Sequence, residues 1–240
     1  MKIIVPIVEN EIKNLEGGYC RCLYEIRRKT ILQYICESLS TIEDAEFIFI
    51  LNRTNVEKYH LDSVIKLLIP SATTVTAQGK TRGSVCSCLL GIDQFDMDSP
   101  MIIVGGDQLV TIDLQKVVDH FIENDFDGGV ITFNDVHPRW SYVRLDENDF
   151  VIEAAEKRPI SHNATTGFYY FKRTGDFVEA AFNMIKKDAC VDGNFYVCPV
   201  YNEMILKQKK IGIYRINKEQ YFNFSHIKGV ELFEEYTRKE

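Results

Sequence analysis

A chain of 240 residues has room for one large α/β domain or two small ones, and 45% hydrophobic with 26% charged residues is the balance of an ordinary soluble globular protein. The formal net charge of -7 argues against a general binder of nucleic acid or of an anionic membrane, so a phosphate-handling role would need a local positive site or a divalent metal. Seven cysteines, an odd number, disfavour a complete disulfide framework. Cys20-x-Cys22 and Cys86-x-Cys88 lack the spacing of a zinc knuckle, so reduced, mostly buried thiols in a cytoplasmic protein are expected. The apolar run Met1 to Val8 is too short for a signal peptide, and no run approaches the ~20 apolar residues of a membrane span.

Lys2 to Val8 reads as a first buried strand, and Glu9 to Glu25 as a long polar loop. Thr30 to Leu39 carries Ile31, Leu32, Ile35, Cys36 and Leu39 at helical spacing, with Thr30 placed to cap it. Glu46 to Leu51 is a second buried strand, Asn55 to Ile69 a helix stopped by Pro70, and Thr73 to Ala77 a β-branched third strand. Thr81 to Phe95 reads as a helix entered through the loop Gln78-Gly79-Lys80. Next comes Met101-Ile-Ile-Val-Gly-Gly-Asp-Gln-Leu-Val110, an apolar strand with no polar alternation, as in parallel strands covered on both faces. Gly105 and Gly106 permit a close approach before the carboxylate of Asp107. Open α/β sheets bind ligands beyond the carboxyl ends of their strands, where Asp107 would stand; the alternative is that Asp107 caps the next turn.

Asp113 to Asn124 completes a strand–helix alternation that marks a doubly wound α/β sheet over the first 125 residues. After it come strands at Gly128–Phe133, Trp140–Leu145, Val151–Glu156 and Ala164–Lys172, and a helix at Asp176–Lys186. Another helix at Tyr201–Lys207, a strand at Ile211–Ile216 and an amphipathic helix at Val230–Arg238 follow. No linker separates the two regions, so a single mixed domain is expected. The last helix could pack on the core or on a second subunit; the core is the favoured partner, with a homo-oligomer left open.

Several stretches stand together in order: Gln78-Gly-Lys-Thr-Arg-Gly83, Gly106-Asp107-Gln108, Glu156-Lys157, Thr166-Gly167-Phe168-Tyr169 and Gly193-Asn-Phe-Tyr-Val-Cys-Pro-Val-Tyr-Asn202. On these the chain resembles the sugar-phosphate nucleotidyltransferases of bacterial capsule and surface-glycan synthesis, over nearly its whole length. The resemblance implies a glycosyltransferase-A-like fold, a Rossmann-like, mainly parallel sheet flanked by helices. Residues 1–125 would hold a nucleoside triphosphate, and an inserted region within 126–240 a sugar phosphate. The implied reaction is attack of the acceptor's phosphate on the α-phosphorus, releasing pyrophosphate with Mg²⁺ assistance.

It further implies Asp107 as the Mg²⁺ ligand, since Mg²⁺ takes one or two carboxylates plus substrate phosphates. Gln78, Gly83, Ser84 and Gly106 would meet the nucleotide, with Gly83 opening a helix. Lys157 would take the acceptor's phosphate and Glu156 a sugar hydroxyl. Gly167 would let the sugar ring approach, with Tyr142, Tyr169, Tyr196 and Asn202 lining the pocket. Blander readings stand beside these: Glu156-Lys157 as a solvated strand end, Tyr196 and Tyr201 as core aromatics, and His137-Pro138-Arg139-Trp140 as a loop packed on the sheet.

The chain departs from the family pattern after the first strand, where G-x-G-[ST]-R-[FL] is replaced by Val8-Glu-Asn-Glu-Ile-Lys-Asn-Leu15. Without the glycines, backbone N–H groups cannot wrap phosphates in the usual way, and Glu9 and Glu11 stand near a polyanion. Lys13 falls where the family has Arg, and Arg21 could replace the cation of a missing Lys-Pro pair. Near the C-terminus, Asn223-Phe-Ser-His-Ile-Lys-Gly229 carries no second metal carboxylate. The reading favours an active nucleotidyltransferase with Lys13, Arg21, Asp107 and Lys157 as its catalytic set. A non-catalytic relative that binds a sugar phosphate or a partner subunit, and a glycosyltransferase on the same sheet, remain as alternatives.

Overall fold

The computed structural model describes residues 1–8 and 20–239. Strand alternation sorts the apolar residues onto two cores. In β1 (Lys2–Ile7), Ile3, Val5 and Ile7 face one core and Ile4 the other. A 3-10 turn, Arg21–Leu23, and a hairpin of β2 (Glu25–Ile26) and β3 (Lys29–Thr30) lead into α1 (Ile31–Leu39). Thr30 caps α1 by accepting from the Gln33 N–H at 3.1 Å, as its sequence position suggests. In β4 (Glu46–Asn52), Phe47, Phe49 and Leu51 join the core of Ile3, while Ile48 and Ile50 join that of Ile4.

The helix expected over Asn55–Ile69 is two helices, α2 (Arg53–Tyr59) and α3 (Leu61–Leu68), broken at His60 with φ 50°. β5 (Thr73–Ala77) has its expected bounds. The helix expected over Thr81–Phe95 is the short α4 (Ser84–Leu89) followed by a 3-10 turn at Ile92–Gln94. Gly83, at φ +94°, delays its start, because a left-handed residue cannot continue a right-handed helix. The run Met101–Val110 also divides. β6 (Met101–Val104) stays in the main sheet, whereas β7 (Gln108–Val110) leaves it after the turn that carries Asp107.

α5 (Leu114–Glu123), capped by Asp113, precedes β8 (Gly128–Asn134), β9 (Ser141–Leu145), β10 (Val151–Glu156) and β11 (Asn163–Phe171). Then come α6 (Thr174–Lys186), α7 (Val200–Ile205), β12 (Ile211–Arg215), β13 (Tyr221–Asn223) and α8 (Ile227–Thr237). β5, β4, β1 and β6 run parallel in that order, β11 joins β6 antiparallel, and β11 in turn pairs with β8 and β9. β12 lies parallel to β8, β10 closes the edge beside β9, and β13 pairs with β7 outside the main sheet. The fold is therefore a mixed α/β sheet flanked by helices.

Buried residues of α1, α3, α5 and α8 pack on the face of Ile3, and those of α4, α6 and α7 on the face of Ile4. Val230 and Phe233 of α8 are buried in the chain's own core, while Leu232 is half exposed. No disulfide joins the seven cysteines, and five of them are buried. Among the described residues no helix is long and apolar enough to cross a membrane.

Tyr201 of α7 ties the helix layer to two strands. Its buried hydroxyl proton is shared between the Gly129 carbonyl at 2.7 Å and the Tyr170 carbonyl at 2.9 Å. Tyr201→Phe is expected to lower unfolding stability by about 2 kcal/mol, since both buried carbonyls lose a donor; urea denaturation measures it. A loss under about 0.5 kcal/mol would show that neither carbonyl depends on it.

Candidate active site at the carboxyl end of the sheet

The parallel strands β1, β4, β5 and β6 end on one side, so the segments after Ile7, Ala77 and Val104 share that edge. Gly106 lets the Asp107 turn sit against β1: a Cβ there would come within 2.6 Å of Ile7 Cγ1 and 3.2 Å of the Pro6 carbonyl. The Asp107 carbonyl accepts from the Phe224 N–H at 2.8 Å, which hangs the turn on the C-terminal segment.

The Asp107 side chain is held from two distant parts of the chain. Arg21 Nη1 donates to Oδ2 at 3.0 Å, and Ser225 Oγ donates to the same oxygen. The Arg21 side chain is 6% exposed and that of Asp107 27%, so the pair is largely withdrawn from solvent. Removing one partner of such a pair costs about 3 kcal/mol or more, because the other charge is left desolvated. The neighbouring Cys22 thiol is fully buried, and burial pushes its pKa well up, which keeps it a neutral packing group.

The donor set around Asp107 bears on a metal. Oδ1 has no hydrogen-bond partner among the described residues, so Asp107 can offer one carboxylate oxygen. No cluster of three metal-ligating side chains occurs among the described residues. The positive charge of Arg21 opposes a resident divalent ion, but Mg²⁺ accepts one carboxylate when substrate phosphates supply other ligands. The residues thus fit an ion that arrives with its nucleotide.

Gln108 stands beside Gly167, where the family resemblance implies that a sugar ring approaches. A Cβ on Gly167, at φ +81°, would lie 1.9 Å from Gln108 Nε2, and one on Gly105 2.2 Å from the same atom. Both glycines accommodate this amide, whose Oε1 accepts from the Tyr221 hydroxyl at 2.6 Å. Gly83 likewise answers to the protein, since a Cβ there would fall 2.5 Å from the Phe195 carbonyl oxygen. Phe195 N–H donates to the Arg82 carbonyl at 2.8 Å and Val85 N–H to the Phe195 carbonyl at 3.0 Å. Gln78 is exposed in its loop, and Ser84, half-buried, begins α4.

In the second half, Lys157 stands at φ +53° just past β10. Its ammonium donates to the Tyr196 hydroxyl at 3.0 Å and to Asp192 Oδ2 at 3.2 Å. The Tyr196 bond, more than the Asp192 pair, holds the Lys157 pKa above its ordinary value. Glu156 is partly buried and accepts from Ser141 Oγ; burial raises its pKa, with Ser141 and Lys157 acting against the rise. Tyr142 belongs to the core: it is fully buried and its hydroxyl donates to the His137 carbonyl at 2.7 Å, which leaves no polar group for a pocket. Asn202 clamps β10, accepting from the Ala154 N–H and donating to the Ala154 carbonyl, both at 2.8 Å. The buried Tyr169 hydroxyl lies 3.2 Å from Thr165 Oγ1.

The structure therefore joins Arg21 to Asp107 and Lys157 to Tyr196, and gives Tyr142 and Asn202 structural roles. Lys13, Glu9 and Glu11 lie outside the described residues. The site also contains Ser225, Gln108, Tyr221 and Asp192, which sequence reasoning did not assign; the adjacency of Gln108 to Asp107 was the one available signal.

The site is thus a largely buried Arg21–Asp107 pair at the carboxyl edge of a mixed α/β sheet, with Lys157 just past β10. Residues 21–191 match the family model described as nucleotidyl transferase, and the chain belongs to that family. Its members generally use a divalent metal. A nucleoside-diphosphate-sugar pyrophosphorylase from Vibrio cholerae RC9 superposes with a TM-score of 0.80 at 21% identity, covering 98% of this chain and 100% of that one. A UDP-glucose pyrophosphorylase complexed with UDP-glucose gives 0.76 at 15% identity, over 100% and 99% of the two chains. The inositol-1-phosphate CTP transferase from T. maritima gives 0.74 at 12%, over 100% and 96%. At these identities the likeness is one of fold. No curated protein matches the chain.

Glu156 carries a pH signature. A carboxyl whose folded pKa is raised stabilises fully below the unfolded value of about 4.3 and loses that contribution as pH rises through the folded value. Glu156→Gln should therefore gain thermal stability relative to wild type as pH is taken from about 4 to 8. A difference in melting temperature that stays constant across this range would rule out a desolvated Glu156.

Proposed function

We propose that the protein transfers a nucleotidyl group from a nucleoside triphosphate to the phosphate of a sugar phosphate or similar small phosphorylated compound. The observation that carries this reading is the near-buried Arg21–Asp107 pair at the carboxyl edge of the parallel strands, with Lys157 on the adjoining half. An acceptor phosphate oxygen attacks the α-phosphorus, the bond from that phosphorus to the bridging oxygen breaks, and pyrophosphate leaves. Both reactants are anions, so positioning and positive charge supply most of the catalysis.

Arg21 would face the triphosphate, assisted by Lys13, while Asp107 Oδ1 holds Mg²⁺ delivered with the nucleotide. Bound there, Mg²⁺ supplies charge neutralisation on the phosphates. Gln78, Gly83, Ser84 and Gly106 border the nucleotide side of the edge. Lys157 exchanges Asp192 for the acceptor's phosphate, a cheap exchange because the pair is solvent-exposed. Glu156 accepts a sugar hydroxyl, and Tyr196 keeps Lys157 aimed. The product would be a nucleotide-activated precursor for a capsule or other glycan, made in the cytoplasm where triphosphates are supplied.

A second reading, a relative that binds its ligand without turnover, is favoured by Gln108, whose amide stands against Gly167 where a sugar would approach. Pyrophosphate release separates the two. The test is a screen of the four ribonucleoside triphosphates and deoxythymidine triphosphate against a panel of sugar phosphates with Mg²⁺. Turnover should appear with one pairing, fall at least about a hundredfold in Asp107→Ala, and fall by a similar factor in Lys13→Ala. Arg21→Lys should retain more activity than Arg21→Ala. Wild-type release indifferent to Asp107, Lys13 and Arg21 would refute the site, and no release with any pair would leave the binding reading.

A further inference from the structure

The loop between β8 and β9 is built more firmly than a surface connection requires. Asp135 Oδ1 accepts from the N–H groups of Val136 at 2.7 Å and His137 at 2.8 Å, and its Oδ2 pairs with Lys218 at 2.6 Å. The Asp135 N–H donates to the His162 carbonyl at 3.2 Å, and the His137 carbonyl takes the Tyr142 hydroxyl and the Trp140 N–H. His137 Nδ1 accepts from the Arg139 N–H at 3.3 Å.

This framework presents the side chain of Arg139 in one place. Its guanidinium carbon lies 4.1 Å from the centroid of the Trp140 ring, a stacked cation–π arrangement on a ring that is itself 8% exposed. Arg144, Arg158, Arg173 and Arg215 each pair with a carboxylate. Arg139 pairs with none among the described residues. Stacking fixes the plane of a guanidinium and leaves its N–H edges free, the arrangement suited to two phosphate oxygens.

Its position relates it to both parts of the site. Trp140 lies 5.5 Å from the Tyr221 ring, and the Tyr221 hydroxyl is bonded to Gln108, the residue after Asp107. On the other side, the Trp140 carbonyl accepts the Lys157 N–H at 3.0 Å. The ring that carries Arg139 thus packs in the same core as Cys20 and Cys22, which flank Arg21, and Arg139 shares a sheet end with Lys157.

We propose that Arg139, stacked on Trp140, is a further binding residue of this site and takes oxygens of the acceptor's phosphate. The inference rests on the nucleotidyl-transfer reading for the identity of the acceptor, but its phosphate chemistry can be tested without turnover. Trp140 is the chain's one tryptophan, so its emission reports directly on the guanidinium above it. Titration of the full chain with inorganic phosphate at constant ionic strength, maintained with chloride, is expected to change Trp140 emission saturably within about 50 mM. Arg139→Ala should weaken that binding about tenfold or more, Arg139→Lys should recover part of it, and Arg158→Ala should leave it unchanged. Circular dichroism confirms that each variant is folded.

With an active pair from the pyrophosphate screen, Arg139→Ala should raise the KM for the sugar phosphate by a similar factor and leave that for the triphosphate within about twofold. Absence of a saturable response in wild type, an unchanged response in Arg139→Ala, or a rise in the triphosphate KM with the acceptor's unaffected would each overturn the assignment. Failure of nucleotidyl transfer would show instead as no pyrophosphate from any pair while the phosphate titration still depends on Arg139.

Discussion

The Arg21 guanidinium is held 3.0 Å from the Asp107 carboxylate with 6% of its side chain exposed, and the architecture of the carboxyl edge follows from that burial. A desolvated cation needs its carboxylate, and a carboxylate beside an apolar strand end needs its cation. The 3-10 turn of residues 21–23 and the Asp107 turn must therefore meet, although 86 residues separate them. Ser225 adds a third tether from 118 residues away, and the Phe224 N–H fixes the backbone of the same turn. The first strands, the central strand and the C-terminal segment are thus joined at one side chain.

That arrangement makes charge the organising quantity of the site. Within a protein of net charge -7, two cations toward this end of the sheet, Arg21 and Lys157, are each paired with a carboxylate. Asp107 neutralises one of them and Asp192 the other, so the cations are stabilised before any ligand arrives. The two pairs differ in kind. Arg21–Asp107 is withdrawn from solvent and built in, whereas Lys157–Asp192 is exposed on both sides and gives way cheaply.

Much of the fold was legible because hydrophobic period reports burial directly. Lys2 to Val8 and Glu46 to Leu51 read as buried strands and contribute to both cores, the Met101 to Val110 run is a buried strand over its first four residues, and Thr30 caps the helix it precedes. Boundaries that depend on a single φ were not legible. Nothing in the apolar pattern of residues 53–68 shows that His60 turns left-handed, or that Gly83 shortens the next helix. Asp107 stood out because an acid after an apolar strand is a local pattern, whereas Lys157 was marked only through the family resemblance, its own surroundings reading as a solvated strand end. Tyr142 and Asn202 did not show their roles, since whether a polar tip faces a pocket or a neighbouring carbonyl depends on strands that sequence spacing does not place.

The sequence by itself determined the class of fold and the carboxylate at the end of the central strand through short-range periodicity and residue chemistry, and marked the cation past Glu156 through a family resemblance. Tertiary structure decided what those groups touch: Arg21 and Ser225 on Asp107, Asp192 and Tyr196 on Lys157, and Gln108 against Gly105 and Gly167. It also stacked the Arg139 guanidinium on the Trp140 ring within the loop before β9. The reason is physical. Burial of a strand is written along the chain, residue by residue, whereas the partner of a charge or the occupant of a glycine's empty side is set by segments tens to more than a hundred residues away, brought together only when the sheet closes.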